Sequence, residues 1–312
     1  MQILAGVFSG AGAGVAGYVG GGYDTGGNIS GINKIAFPAE TRTTLSATLS
    51  TARYNPAGMA NSGVAGYFGG GFDTGSISGI DKITFPADTK TTLSATLTTV
   101  IDGAAGFANS SVAGYFGGGL NSGTHVSRID KITFPADTKT TLSATLSQPT
   151  NILAGFADNG VAGYFGGGRD NTGFNVAGID KITFPADSKT TLSATLTTAV
   201  RFLSGTADSG VAGYFFGGRE NSGTDISRID KIAFPSDTKT TLSATLTAGL
   251  IESAGFADIG VAGYCAGGDE SPGDYVSRID RIAFPSDTKT TLTATLSTAR
   301  IDMAGFADCG VF

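Results

Sequence analysis

The sequence contains no tryptophan, one histidine and two cysteines, and only 15% of its 312 residues are charged. One histidine, His125, cannot supply the several imidazoles of a copper or zinc site, and no serine or cysteine motif surrounds it. We therefore predict no catalytic residue, no metal site and no cofactor, and we interpret His125 as a solvent-exposed loop residue. Cys265 and Cys309 stand where other copies of the repeat described below carry different residues. This predicts two free thiols rather than a disulfide framework.

Charge and hydrophobicity exclude two further kinds of partner. The 20 lysines and arginines are scattered singly among 26 aspartates and glutamates, giving a net charge of −6. Because no basic stripe is available to hold a phosphate backbone, we predict no nucleic-acid partner. No apolar run approaches the roughly 18 residues of a membrane span, so we predict no membrane insertion. The start, MQILAGVFSGAGAGVAG, lacks the basic region of a signal peptide, and we interpret it as part of the mature protein.

Glycine is abundant, with 49 residues, and much of it is periodic. The stretch GVAGYFGGG (63–71) returns almost unchanged along the chain at intervals of 48 to 50 residues. Six copies of one unit therefore fill the chain, and we predict a single domain spanning residues 1–312. The tyrosines that mark the copies are Tyr18, Tyr67, Tyr115, Tyr164, Tyr214 and Tyr264.

Each unit is predicted to form four short strands. In the copy spanning 106–154, AGFANSSVAGYFGGG holds the first two strands, which are separated at Asn109–Ser111. RIDKITF forms the third strand, PADTK a proline-led turn, and TTLSATLS a fourth strand with one solvated face. No segment shows helical periodicity. The predicted fold class is therefore all-β.

A unit of this length with four strands and a glycine run has the period of a propeller blade. The letters also resemble the kelch family: a glycine doublet ends the second strand, a DT turn follows the third, and an arginine precedes the first at Arg53, Arg201 and Arg300. The family's tryptophan is absent, and a leucine stands about one residue beyond its place. The resemblance implies a six-bladed β-propeller of four-stranded antiparallel blades. The main alternative for a repeat of this kind is a β-solenoid, whose coils normally use shorter repeats. The family's aromatic in the third strand is matched by Phe37, Phe85, Phe134, Phe184, Phe234 and Phe284.

The two ends of the chain compete for one position in such a ring. RIDMAGFADCGVF (300–312) is a seventh copy of the first strand, whereas ILAGVFSG (3–10) is a poorer copy. We predict that the C-terminal strand closes the ring, as the kelch resemblance implies. If the N-terminal copy filled the position instead, the C-terminal strand would be free to pair with another chain and build oligomers or fibres.

Most repeated residues are predicted to have structural roles. The tyrosines and phenylalanines fill the space between blades, and the glycines lie where a side chain would collide or where φ is positive. Third-strand aspartates are expected to make structural hydrogen bonds or ion pairs, and turn aspartates to cap their own turn. Calcium on the DNTG or DESPGD loops is an alternative for those acidic segments. The third-strand set is Asp81, Asp130, Asp180, Asp230 and Asp280, with Asn33 in the first copy, and the turn set is Asp88, Asp137, Asp187, Asp237 and Asp287.

Two segments of the unit vary strongly between the copies: the one after the glycines and the one after the fourth strand. In a four-stranded antiparallel blade, the loop between strands two and three and the connection from strand four to the next blade lie on the same face. Both variable segments are therefore predicted to lie on one face of a propeller. An invariant scaffold with variable loops on one face is a common way to build a binding surface, although neutral drift of tolerant loops would give the same pattern. Aromatic and arginine side chains are enriched in recognition hot spots. The predicted binding residues are Tyr23, Arg53, Tyr54, Phe72, Arg169, Phe174, Arg201, Phe202, Arg219, Tyr275 and Arg300.

These observations predict a non-enzymatic binding module whose variable face recognises a glycan or a protein surface receptor. The near-identical, glycine-rich copies are similar to bacterial and phage arrays, which favours an extracellular or virion-borne adhesion role such as a tail-fibre domain. The alternative is a structural protein that forms homo-oligomers or fibres through a terminal strand or the invariant face.

Overall fold

The computed structural model describes residues 16–309, and all regular elements in this range are β-strands. No helix long and apolar enough to cross a membrane occurs among these residues. The N-terminal copy at 3–10 lies outside the described residues. The all-β prediction is confirmed.

Six four-stranded antiparallel sheets form the blades of a closed ring, so the fold is a six-bladed β-propeller. From the axis outward, the strands are Ala304–Ala307, Ala16–Gly20, Gly31–Ala36 and Thr41–Thr48 in blade one; Ala57–Asn61, Ala65–Gly69, Ile80–Thr84 and Thr89–Thr92 in blade two; Ala105–Asn109, Ala113–Gly117, Ile129–Thr133 and Thr138–Thr141 in blade three; Ala154–Asp158, Ala162–Gly166, Ile179–Thr183 and Ser188–Thr191 in blade four; Ser204–Asp208, Ala212–Phe216, Ile229–Ala233 and Thr238–Thr241 in blade five; and Ala254–Asp258, Ala262–Ala266, Ile279–Ala283 and Thr288–Thr291 in blade six.

The C-terminal strand closes the ring, as predicted. Ala304–Ala307 is the innermost strand of blade one, where Phe306 lies opposite Tyr18 in the antiparallel register. The two rings stack with centroids 5.4 Å apart. This strand is therefore paired inside the ring.

The glycine of AGYF lies where a side chain from the preceding blade enters. A Cβ built on Gly163 of blade four would lie 2.0 Å from the ring of Phe107 in blade three. The innermost strands are also in close contact, because a Cβ on Gly155 would lie 2.9 Å from the carbonyl oxygen of Gly106. Substitution at either glycine would force the blades apart, so the predicted steric role of the glycines is confirmed.

Each marker tyrosine is bonded to the following blade. The hydroxyl of Tyr67 in blade two donates to Oδ1 of Asp137 in blade three at 2.8 Å, and Lys82 binds the other carboxylate oxygen at 2.7 Å. The ring of Tyr67 stacks on Phe134 of blade three at 5.3 Å. The prediction that the turn aspartates cap their own turns is therefore wrong. Each lies at a positive φ, near 55°, which directs its carboxylate to the preceding blade. The equivalent hydrogen bonds are Tyr18–Asp88, Tyr115–Asp187, Tyr164–Asp237, Tyr214–Asp287 and Tyr264–Glu40.

The third-strand aspartates bind the preceding blade. Asp180 accepts hydrogen bonds from the backbone N–H and the hydroxyl of Ser147, at 2.7 and 2.9 Å, and from Thr191 of its own blade at 2.7 Å. The predicted structural role of this set is confirmed. Because side chains alternate along a strand, Asp180 binds the preceding blade, whereas the next residue, Lys181, binds Asp237 of the following blade.

The predicted fourth strand is wrong in position. In blade three the turn covers Phe134–Asp137 and the strand covers Thr138–Thr141, so most of TTLSATLS lies beyond the sheet. The chain leaves the sheet because Leu146, only 5% exposed, packs inward and donates its backbone N–H to Ser127 at 2.8 Å. Blade one retains a longer outer strand, Thr41–Thr48.

At the junction between blades five and six, the large and the small side chain have exchanged places. At the preceding junction, Phe215 of blade five covers Gly166 of blade four, where a Cβ would lie 2.4 Å from its ring. Blade five has Phe216 in the position of that glycine, and blade six has Cys265 in the position of that phenylalanine. Both lie in one buried cluster, so the larger side chain has moved from one blade to the other. Cys265 is a free thiol, as predicted.

Candidate functional site: the variable face

The two variable segments of each repeat pair with each other on one face of the ring, called here the variable face. Two glycines at positive φ, Gly70 and Gly71 in blade two, turn the chain out of the second strand. The residue after them lies antiparallel to a residue of the segment that leads into the same blade. The predicted placement of both segments on one face is confirmed. The six pairs are Tyr23–Ile301, Tyr54–Phe72, Asp102–Leu120, Asn151–Arg169, Arg201–Arg219 and Ile251–Asp269.

The next residue of each segment forms a ring around the propeller axis, called here the axial ring. Each backbone N–H donates to the carbonyl of the equivalent residue in the preceding copy, at 2.6 to 3.1 Å, and the six bonds close on themselves. All six residues have φ between 49° and 60°. This conformation costs a β-branched or bulky residue about 1 to 2 kcal/mol, yet the ring includes Ile152 and Phe202. The members are Asn55, Gly103, Ile152, Phe202, Glu252 and Asp302.

The axial ring combines an invariant backbone with a different residue in every copy. Its residues line a depression at the axis together with neighbours such as Pro56, Leu153 and Met303. Of the six members, only Phe202 belongs to the predicted binding set. The other five are neither aromatic residues nor arginines and were therefore not predicted. The sequence signal that indicates them is that this position has a different residue in each of the six copies.

Three predicted residues, Tyr23, Tyr54 and Phe72, form an aromatic group on the side of blades one and two. The rings of Tyr23 and Tyr54 meet edge to face, with centroids 6.2 Å apart, and Tyr54 lies 5.3 Å from Phe72. Tyr23 is 37% exposed. Tyr275, on the neighbouring loop of blade six, is partly buried and is bridged to Asp269. A surface of adjacent rings removes apolar area from water when a flat ligand covers it.

The other predicted residues on this face form a cationic group on blades four and five. Arg201 lies directly opposite Arg219 in the antiparallel register and over the ring of Phe202, at 5.3 Å from its centroid. Arg169 occupies the equivalent of the Arg219 position in blade four. Phe174, in the same hairpin, is 65% exposed. This group places positive charge beside a solvent-exposed ring.

Arg53 and Arg300 do not lie on the variable face, so that part of the prediction is wrong. Each is only 1% exposed, between two blades. Arg53 donates to Asp81 and to the carbonyl oxygen of Phe68, both at 3.1 Å. Arg300 donates to the carbonyl oxygen of Val19 at 3.3 Å, and burial lowers its pKa to about 10. Both side chains fold back from the loop and stabilise a blade junction instead.

Acidic side chains lie on the axial ring beside these groups. Burial and the neighbouring Asp269 raise the pKa of Glu252 to about 7. Burial, with Glu252 nearby, raises the pKa of Asp302 well above its ordinary value, and its Oδ1 has no hydrogen-bond partner among the described residues. The centre of the face therefore carries two carboxyl groups that hold their protons more tightly than exposed carboxyl groups do.

Two other sequence interpretations concern loops of this face. His125 is partly buried rather than solvent-exposed, since its loop forms a small hairpin in which it pairs with Leu120. In the DESPGD loop the carboxylate of Asp269 accepts backbone N–H groups from Ser271, Gly273 and Asp274. Across residues 16–309, no group of three histidine, cysteine or acidic side chains is arranged to hold a metal ion.

The chain matches no protein-family model and no curated protein. Its class is defined by geometry alone: a six-bladed β-propeller whose repeats present one invariant face and one face that differs from blade to blade.

Proposed function

We propose that the protein is a kelch-type, non-enzymatic binding module whose variable face binds a glycan or a protein surface receptor. One observation carries the proposal. Three backbone positions per blade, the two paired residues and the axial residue, repeat around the ring while their side chains differ. The differences are not scattered, because the arginines of the face lie together on blades four and five. A group of adjoining tyrosine and phenylalanine rings lies on the side of blades one and two. This organisation favours a selected surface over neutral drift of tolerant loops.

The shape and chemistry of the face support a broad ligand. The side chains surround a shallow axial depression, which suits an extended glycan or a protein surface. Tyr23 and Phe174 offer exposed rings, and aromatic faces bind sugars and protein side chains by removing apolar area from water. The axial ring contains no nucleophile with an adjacent base, which favours binding over catalysis. An extracellular or virion-borne adhesion role suits such a module.

The proposal is tested by binding to a glycan array and to intact cells, using Tyr54→Ala and Phe174→Ala. Each substitution removes a ring from the variable face and leaves the tyrosine–aspartate hydrogen bonds between blades unchanged. We expect binding to fall about tenfold or more, as for a hot-spot aromatic. Val112→Ala and Val211→Ala are the matched controls, because these valines lie on the opposite face. Equal binding by all four variants, or no binding by the parent protein, contradicts the proposal.

A second candidate, assembly through the invariant face, is favoured by one observation. The turn between the first and second strands exposes a valine in blades two to six, each 36% to 47% exposed. A repeated apolar ring of this kind would suit contact with another chain. Sedimentation over a concentration series separates the candidates, since a monomer at all concentrations disfavours self-assembly. The five valines are Val64, Val112, Val161, Val211 and Val261.

A further inference from the structure

The cationic group holds three arginines close together, and of the three only Arg219 is within ion-pair distance of a carboxylate among the described residues. Arg201 and Arg219 are directly opposite each other on adjacent strands, an arrangement that destabilises a sheet when both residues are cations. Arg219 is neutralised by Asp225, which it binds through two hydrogen bonds of 2.6 and 2.9 Å. Arg201 makes no ion pair with any residue in 16–309. Its guanidinium is held by Asn175 at 3.2 Å, and its Nε has no partner among the described residues.

Arg169 adds a third guanidinium to this group. Its Nε donates to the carbonyl oxygen of Gly173 at 3.2 Å, which orients the head, and no carboxylate of the described chain is within ion-pair distance. Asn175, which is bridged to Arg169 in the same hairpin, accepts from Arg201 at 3.2 Å. It also donates to the carbonyl oxygen of Arg219 at 2.7 Å. The three arginines therefore lie around one asparagine, and burial and the charges of Arg169 and Arg219 lower the pKa of Arg201. Arg169, which is exposed, and Arg201, which is half-buried, therefore each carry a guanidinium without a carboxylate partner among the described residues.

The exposed ring of Phe174 lies beside this charge. It belongs to the same hairpin as Arg169, in which the carboxylate of Asp170 accepts the backbone N–H of Phe174 at 3.1 Å. The loop that carries the ring is therefore fixed by its own hydrogen bonds. A sugar ring stacked on Phe174 would place its acidic substituent near Arg169 and Arg201.

We propose that Arg169, Arg201 and Phe174 form a subsite for an anionic glycan, with a carboxylate or sulfate ester bound by the two unpaired guanidinium groups. The planar guanidinium fork matches either oxyanion through two parallel hydrogen bonds. A bound anion would also relieve the repulsion between Arg201 and Arg219. This inference rests on the proposed function and names the ligand class of the same face.

A nucleic-acid backbone fits the same surface poorly. The three arginines are bordered by Glu252, Asp225 and Asp269, and the whole chain carries a net charge of −6. A phosphate backbone needs a continuous basic path, whereas one acidic substituent per sugar needs only this group.

Calorimetric titration of the full chain with oligosaccharides of known charge tests the subsite. The probes are an oligogalacturonate, which carries carboxylates, a sulfated carrageenan oligosaccharide, and neutral maltohexaose. We expect at least one acidic probe to bind about tenfold more tightly than maltohexaose and to weaken as salt is raised. The acidic probe that binds more tightly shows whether the carboxylate or the sulfate is the preferred anion.

Arg169→Gln and Arg201→Gln should each weaken that binding about tenfold. Arg42→Gln is the matched control, since Arg42 is an exposed arginine on the outer strand of blade one, and it should leave the affinity unchanged. The subsite is overturned if neither acidic probe binds or if maltohexaose binds equally well. Unchanged binding in both arginine variants, or equal binding of single-stranded DNA, also overturns it. If neutral glycans bind and Phe174→Ala alone weakens them, the subsite fails while the proposed function stands.

Discussion

The hydroxyl of Tyr164 in blade four donates a 2.7 Å hydrogen bond to Oδ1 of Asp237 in blade five. Lys181 of blade four binds the second oxygen of the same carboxylate at 2.7 Å and lies 5.3 Å from the centroid of the tyrosine ring. The same set of contacts recurs at the other junctions, with Glu40 accepting from Tyr264 and Arg281 where blade six meets blade one. The repeated tyrosine thus sets the angle between neighbouring blades.

Removing one of these hydroxyls should destabilise the ring. We expect Tyr164→Phe to lower the free energy of unfolding by about 1 to 2 kcal/mol, because a largely buried hydrogen bond to a charged group is lost. Guanidinium denaturation measures the change. Tyr275→Phe is the control, since the Tyr275 hydroxyl makes no hydrogen bond within residues 16–309. Equal stability of the two variants would contradict the role assigned to the tyrosine.

The exchange of side-chain size between blades five and six predicts a strong coupling. Cys265→Phe should overpack the junction and cost about 1 to 3 kcal/mol, because Phe216 already fills the space. Phe216→Gly should open a cavity and cost about 3 to 5 kcal/mol. The double variant restores the phenylalanine–glycine arrangement of four other junctions, so its loss should be well below the sum. A double-mutant cycle by denaturation measures the coupling, and additive losses would show that the two positions do not share space.

Ring closure by the C-terminal strand predicts the effect of a truncation. Deleting residues 300–312 removes Arg300 and the inner strand Ala304–Ala307, which exposes the edge of Ala16–Gly20 and the apolar faces beside it. We expect a broad or split melting transition in place of a single cooperative one. Phe306→Ala, which keeps the strand, should lower stability by about 3 to 5 kcal/mol but leave one transition. An unchanged melting curve after the deletion would refute this closure.

Glu252 predicts a pH dependence of stability. Its pKa in the folded protein is raised from 4.5 to about 7, mainly by burial and by Asp269, with Asp225 adding to the rise and Arg201 and Arg219 opposing it. A carboxyl group with a raised pKa holds its proton more tightly when folded, so its contribution is present below pH 4.5 and is lost as the pH rises to 7.

Denaturation between pH 5 and 8 measures this dependence. We expect the parent protein to lose about 1 to 3 kcal/mol more than Glu252→Gln over this range, because glutamine cannot ionise. Asp274→Asn, which removes an exposed carboxylate from the same face, controls for a general effect of lowering the acidic charge. Parallel curves for the parent and Glu252→Gln would remove Glu252 as the titrating group.

Much of the fold could be predicted because the same pattern occurs six times in the sequence. One copy of AGYFGGG permits several interpretations, but six copies at a fixed interval require an architecture in which every copy has the same neighbours. The residues of 300–312, as a seventh copy of the first strand, then predicted the closure. Side chains alternate along RIDKITF, and in the structure Asp130 binds Thr98 of the preceding blade whereas Lys131 binds Asp187 of the following one.

The errors arose where a contact spans two blades. Asp237 follows a proline in a turn, which favours capping of that turn, but its partner Tyr164 lies 73 residues earlier and is near only in the closed ring. Arg53 lies in a variable segment, yet its side chain donates a hydrogen bond to Asp81 at the junction between two blades. Ile152 and Phe202 adopt a positive φ that their own propensities disfavour, so the axial ring could not be predicted from local rules.

Hydroxyl-radical footprinting with the glycan selected on the array tests the central claim, that the variable face is the binding surface. Tyrosine and phenylalanine side chains report directly in this experiment, and both faces carry exposed residues for comparison. We predict that the ligand protects Tyr23, Tyr54 and Phe174 and leaves the reactivity of Val112 and Val211 unchanged. Protection confined to those valines, or a complex in which none of the three aromatic residues is protected, would contradict the account.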